Sequence, residues 1–287
     1  MSQKTVVRSR PVYVFVDTNI FLDYYRGTSD ASLSLLKKMD LVKDRIISTY
    51  QVEMEFKKNR QDVIKQTING LKMDAKWALP VLFRDSNAGN SLHATKKDAE
   101  LRLKKMRQKV AGLLTSPGNS DEVYKAFENI FHNPSTHVLT RDMIVRHQIK
   151  RLAFRRFILG YPPRKSGDTS IGDALNWEWI VYCGQNLSGK IIIVSRDSDY
   201  GVSVDGKTYL NDHLVQEYKE RVGPKRVIEL TDKLSVALKE LKIAVTKEEI
   251  KAEAEQVSQQ CLMDDEDLNV LVKALKNLGD QSLGEEE

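Results

Sequence analysis

Two runs of β-branched and aromatic residues, VYVFV at 12–16 and KIIIV at 190–194, each end directly on polar and acidic side chains. Asp17 follows the first, and Ser195, Asp197 and Asp199 follow the second. Short apolar runs without polar alternation are the pattern of strands buried on both faces, which belong to parallel sheets covered by helices. The chain is thereby constrained to an α/β class, and the C-terminal edge of such a sheet is where ligands gather. Asp17 carries two compatible readings: it caps the helix that opens at TNIFLD, and it holds a ligand.

The pattern predicts a helix near 18–40, a second strand at 45–48 and a helix from about 51 that carries VEMEFKKNR. Residues 62–115 read mostly as long, charged helix, interrupted at Pro80 and near 87–90, while SPGNSDEV at 116–123 and FHNPSTHVLT at 131–140 read as breaks. A basic helix is predicted over 141–157, with Ile144, Ile149, Leu152, Phe154 and Phe157 as its apolar residues. A loop, YPPRKSGDTSIGD, leads into the helix ALNWEWIVYCGQN, whose Trp177 and Trp179 read as core. After the strand at 190–194, VSVDGKTYLN reads as a hairpin with an Asp-Gly turn. The helix HLVQEYKERV, a strand at 226–230 and a helical C-terminal region complete the pattern.

A chain of 287 residues can bury a sizeable core. No run reads as a membrane span or signal peptide, and Cys183 and Cys261 form neither a disulfide framework nor a cysteine zinc motif, so a cytoplasmic setting is expected. The histidines lack HxxxH or HxH spacing, which argues against zinc and histidine-based ribonuclease chemistry, and no GxxxxGK[ST] loop supports triphosphate hydrolysis. The net charge of +5 is unevenly divided: residues 248–287 carry −9 and residues 1–247 carry +14. A basic body of this size points to phosphate-rich partners such as nucleic acid.

Helices add acids to those at the strand ends: Glu53 and Glu55 after the second strand, and Asp168 and Asp173 before the tryptophan helix. Singly, each is an ordinary helix-start residue. Several carboxylates meeting at one sheet edge repel one another and call for a cation, for which Mg²⁺ or Mn²⁺ is the natural hard ion.

The blocks VDTNIFLD at 16–23, STYQVEMEFKKNR at 48–60, YPPRKSGD at 161–168, IGDALNWEWIV at 171–181 and IVSRDSDYG at 193–201 resemble the PIN-domain nucleases. Within that superfamily they are similar to a bacterial PIN-like group whose second acid sits in an E-F-x-x-N-R segment. The resemblance implies a three-layer α/β/α sandwich around a mostly parallel sheet. Its core is expected at 1–61 and 161–232, split by a helical insertion at 62–160 and followed by a helical, acidic extension at 233–287. It makes Asp17, Glu55, Asp173 and Asp197 the catalytic, metal-binding acids with Asp199 as a further ligand, and Asn19, Ser195 and Asp168 their support. Glu53, two residues from Glu55, is the alternative second acid. RKSGDTS is shorter and more basic than the family's loop at that place, which puts Asp168 in question.

Paired divalent ions roughly 4 Å apart activate water and neutralise charge in phosphodiester hydrolysis. The resemblance therefore implies Mg²⁺- or Mn²⁺-dependent cleavage, foremost as an endoribonuclease on single-stranded RNA, with a toxin or defence role among the family's known ones. Lys57, Arg60, Arg151, Arg155, Arg156, Arg164 and Lys165 are the candidate phosphate contacts. A single-stranded DNA nuclease and a binding scaffold without catalysis are the alternatives. An aspartyl-phosphate enzyme is disfavoured, because position 19 is asparagine where that chemistry needs a second aspartate. The family also leaves room for an inhibitory or effector partner protein and for a homodimer, and DDEDLNVLVKALKNL at 264–278 is a candidate cover for the basic body.

Overall fold

A computed structural model describes residues 10–27, 29–70, 81–84, 86–133, 135, 137–164 and 170–258. The elements run β1 (Val12–Val16), α1 (Thr18–Asp23), α2 (Asp30–Asp40), β2 (Ile46–Thr49), α3 (Tyr50–Gly70), α4 (Val81–Arg84), α5 (Asn87–Thr115), α6 (Pro117–Ser120) and α7 (Glu122–Phe131). They continue with β3 (Val138–Leu139), α8 (Arg146–Leu159), α9 (Gly172–Asn186), β4 (Lys190–Val194), β5 (Gly201–Val204), β6 (Lys207–Leu210), α10 (Asp212–Val222), β7 (Ile228–Thr231) and α11 (Leu234–Glu240). A further helical stretch covers 247–258. Among the described residues no helix is long and apolar enough to cross a membrane.

Five strands form one parallel sheet in the order β3-β2-β1-β4-β7, flanked by helices. The two apolar runs that constrain the sequence are its centre. β1 and β4 pair residue for residue from Val12↔Lys190 to Val16↔Val194, so their C-terminal ends are flush. Phe15, Val16, Ile193 and Val194 are almost fully buried, as strands covered on both faces must be.

The predicted hairpin is present: β5 and β6 are antiparallel around Asp205 and Gly206, both at positive φ (50° and 73°), the geometry of a type I′ turn. The helix expected near 18–40 is two helices. α1 ends at Asp23, and Ser29 restarts the helical path by accepting from the Ala31 N–H at 3.2 Å.

The 62–160 segment is not purely an insertion. β3 takes the edge of the sheet beside β2, and α7 enters the core, where Phe127 stacks on Phe56 at a centroid distance of 4.1 Å and meets Phe21 edge-on at 5.0 Å. Such aromatic pairs add about 0.5–1.5 kcal/mol each beyond the burial of their area. The basic helix begins at Arg146 rather than 141. Trp177 and Trp179 are core residues, as expected, with their ring N–H groups donating to Glu217 Oε2 and to the His137 carbonyl, both at 2.9 Å. Asp168, Lys165, Cys261 and the acidic stretch at 264–278 lie outside the described residues.

Candidate active site

Asp17 is the first residue past β1, and its N–H continues the sheet ladder by donating to the Val194 carbonyl at 3.0 Å. Its carboxylate caps α1 by accepting from the Thr18 N–H at 2.7 Å, and it accepts the Ser195 hydroxyl at 2.5 Å. The two readings of Asp17, helix cap and site residue, thus occupy one side chain. Ser195 passes the order on: its oxygen accepts from the Asp197 N–H at 3.0 Å, and Asp197 Oδ1 accepts from the Asp199 N–H at 3.1 Å. The flush ends of β1 and β4 therefore hold three aspartates in one hydrogen-bonded run.

Two helices complete the cluster. Glu55, in the second turn of α3, accepts from Gln51 Nε2 at 2.7 Å and from Thr18 Oγ1 at 3.2 Å. The start of α9 lies directly against it: a Cβ on Gly172 would sit 2.3 Å from Glu55 Oε1. Asp173 follows in the first turn of α9, where the helix dipole favours its negative charge. Burial nonetheless pushes the Asp173 carboxyl up to about 9, with repulsion from Asp17, Glu55, Asp197 and Asp199 adding to it. Asp17 rises to about 7, chiefly through burial and then through Asp197 and Glu55, against the lowering effect of the Ser195 hydroxyl. The structure thus brings Asp17, Glu55, Asp173, Asp197 and Asp199 into one mutually repelling group.

That donor set fits a hard divalent cation. It is all oxygen, burial and mutual repulsion raise the Asp17 and Asp173 carboxyls so that a cation would displace their protons, and the buried Asn19 Oδ1 next to Asp17 accepts no hydrogen bond among the described residues. Glu53 faces elsewhere. It pairs with Lys57 at 2.7 Å and lies in a group with Glu128 and His132 whose ligating atoms are within 4.8 Å of one another. The Lys57 ammonium also reaches Glu128 at 3.0 Å, so this second group already contains its compensating charge.

A family model described as PIN domain matches residues 14–200, a span that contains every one of these acids. The chain belongs to the PIN domain family. Comparison with curated proteins and with solved structures gave no match. PIN domains are generally nucleases that depend on divalent metals.

Of the basic residues expected to hold nucleic acid in this PIN domain, two are corrected by the structure. Arg60 is 4% exposed, and its Nε and Nη2 donate to Asp121 Oδ2 at 2.9 and 2.5 Å while Nη2 also reaches the Leu113 carbonyl at 2.8 Å. Arg156 is 4% exposed and binds Glu178 at 2.9 Å, Glu217 and the Pro162 carbonyl. Both guanidiniums are buried structural cross-links, withdrawn from the surface where a phosphate would bind. Lys57 is engaged by Glu53 and Glu128, and Arg164 lies 4.3 Å over the Phe157 ring and donates to the Phe157 carbonyl at 2.6 Å. Arg151 and Arg155, with Lys150, stand exposed on α8.

Four site neighbours escape the sequence reading. Thr18 and Gln51 orient Glu55, and Gly172 leaves room for it. Tyr200 is fully buried, with a hydroxyl lacking a hydrogen-bond partner among the described residues, and burial beside Asp173, Asp17, Glu55 and Asp197 pushes its phenol far up. Gln51 was accessible through its i, i+4 spacing to Glu55, and Tyr200 through its place directly after Asp199.

Two substitutions probe the geometry. Ser195→Ala removes the hydroxyl that orients Asp17 and is expected to lower the cleavage rate by about 10–100-fold. Gly172→Ala should displace the Glu55 and Gln51 side chains, lowering cleavage while thermal unfolding of the metal-free protein stays nearly unchanged, because the clash falls on the ends of two side chains rather than on backbone.

Proposed function

We propose that this PIN domain is an endonuclease of single-stranded RNA that uses Mg²⁺ or Mn²⁺ held by Asp17, Glu55, Asp173 and Asp197, with Asp199 assisting. The supporting observation is the raised pair, Asp17 at about 7 and Asp173 at about 9, within a group of acids whose mutual repulsion a cation relieves. Divalent ions supply activation of water and neutralisation of the charge that builds on the phosphate. The chain's own residues fix the geometry. Ser195 aims Asp17, Thr18 and Gln51 aim Glu55, and the dipole of α9 favours the ionised form of Asp173. Arg151, Arg155 and Lys150, exposed on α8, are available to the phosphates of the strand. The preference for RNA over DNA follows the habit of the family.

Labelled single-stranded RNA and DNA oligonucleotides incubated with Mn²⁺, Mg²⁺ or EDTA test this reading. The expected result is metal-dependent internal cutting of RNA that leaves a 5′-phosphate and a 3′-hydroxyl. A 2′,3′-cyclic phosphate end would overturn it, since that end records attack by the ribose hydroxyl. Cutting confined to DNA would keep the nuclease and reject RNA.

A further inference from the structure

A cavity of about 340 Å³ shares Ser195 and Asp197 with the acid cluster as part of its wall. Its apolar lining is Val202 from β5, Leu230 from β7 and Val257 from the helical stretch at 247–258. Small-molecule sites run from about 300 to 1,000 Å³ and combine apolar walls with a few directing polar groups. A cavity of this size and lining accepts one planar heteroaromatic base.

The polar lining sets which base. Arg196 is the cation in the wall, with its Nη1 committed to Asp23 and its Nε to the Asp232 carbonyl. Thr208 already donates its hydroxyl proton to the Leu230 carbonyl at 2.6 Å, so its oxygen offers only acceptor capacity. The Asp232 carboxylate, also in the wall, accepts no hydrogen bond among the described residues. Ser198 and Ser203 can donate or accept. The uncommitted groups are thus weighted toward acceptors. Cytosine, adenine and guanine present exocyclic amino donors that such groups can receive, while uracil presents carbonyl oxygens in their place and keeps only its ring N3–H as a donor on that edge.

We infer that this cavity holds a nucleobase of the bound strand beside the phosphate being cut, and that it favours bases with an exocyclic amino group over uracil. The inference rests on the nuclease reading above and adds to it a source of sequence preference. Asp232 is its main selecting residue, and Val202, Leu230 and Val257 offer the base its apolar contacts.

Two measurements test it. In the first, wild type and Asp232→Asn cleave short single-stranded oligomers of A, C or U. Wild type is expected to cut A and C with a kcat/KM about tenfold above U, the discrimination one well-placed base contact supplies. Asp232→Asn, whose amide both donates and accepts, should flatten that difference. Equal rates on all three oligomers in wild type, or a preference that Asp232→Asn leaves intact, overturn the inference while the nuclease stands. The second measurement needs no cleavage: CMP and UMP are titrated into methyl-labelled protein. Shifts at Val202, Leu230 and Val257, with CMP binding more tightly than UMP, support the inference even where no cutting is seen. No shift at these methyls with either nucleotide overturns it, whatever the cleavage assay shows.

Discussion

Asp173→Asn is expected to lower cleavage by at least about a thousandfold, several kcal/mol of lost charge stabilisation, while making the metal-free protein more stable. The first effect follows from removing one of the acids that would hold the ion. The second follows from electrostatics, since the Asp173 carboxyl is held at about 9 by burial and by four neighbouring acids. An amide of the same shape relieves that cost, by on the order of 2 kcal/mol at pH 8, or about 4–8 °C in Tm. The sign of the pH dependence is fixed by the direction of the shift. A carboxyl whose folded pKa is raised binds more protons in the folded than in the unfolded chain, so stability falls as pH rises from the unfolded value, near 4, through the folded value. Metal-free wild type should therefore gain stability as pH falls from about 9 toward 5, through the ranges of Asp173 at about 9 and Asp17 at about 7. Below that Glu249 acts the other way: its carboxyl is held at about 2, opposed by its burial but dominated by Lys38 and Ser34, and the stability it contributes is lost as it protonates. Denaturant titrations at pH 5 and 8, with EDTA, check both effects. A variant that loses activity yet also loses stability at pH 8 would show that Asp173 is a structural residue.

Arg156→Ala should be strongly destabilising although it lies outside the acid cluster, costing about 3 kcal/mol, at the lower end of the range for breaking a buried ion pair. The lower end applies because Arg221 also reaches Glu178 at 2.6 Å and Glu217 at 2.7 Å, so neither acid is left without a cation. The Pro162 carbonyl would still lose a donor, and with it the tie between α8 and the chain that leads to α9. The informative contrast is with Arg151→Ala and Arg155→Ala on the same helix. Both side chains are exposed, so their removal should change stability by less than about 0.5 kcal/mol. Each should weaken nucleic-acid binding and lower the steepness of its salt dependence by about one phosphate contact. If Arg156→Ala instead kept its unfolding midpoint and weakened nucleic-acid binding, the sequence assignment of this residue would be restored.

That contrast shows where sequence is readable and where it is not. β1, β4 and the β5–β6 hairpin announce themselves through neighbours in the chain: an unbroken apolar run, or Asp-Gly between two short strands. The acids past β1 and β4 inherit their position from those strands, so their convergence could be anticipated. The partners of Arg60 and Arg156 could not, because Asp121 and Glu217 each lie 61 residues away and a buried guanidinium looks the same in sequence as a solvated one. β3 was hidden for another reason: it has two residues, too few to show a period, inside a segment dominated by turn formers.

The flush register of β1 and β4 also bears on when the protein becomes active. Ser195 and Asp17 are 178 residues apart, and the ladder that aligns them continues through the Ser195 N–H to the Thr231 carbonyl of β7. A chain still being synthesised therefore cannot assemble the site until nearly all of the sheet has emerged and paired. Partly made copies, and proteolytic fragments that end before β4, lack Ser195, Asp197 and Asp199 and hold an incomplete acid cluster without any inhibitor acting on them.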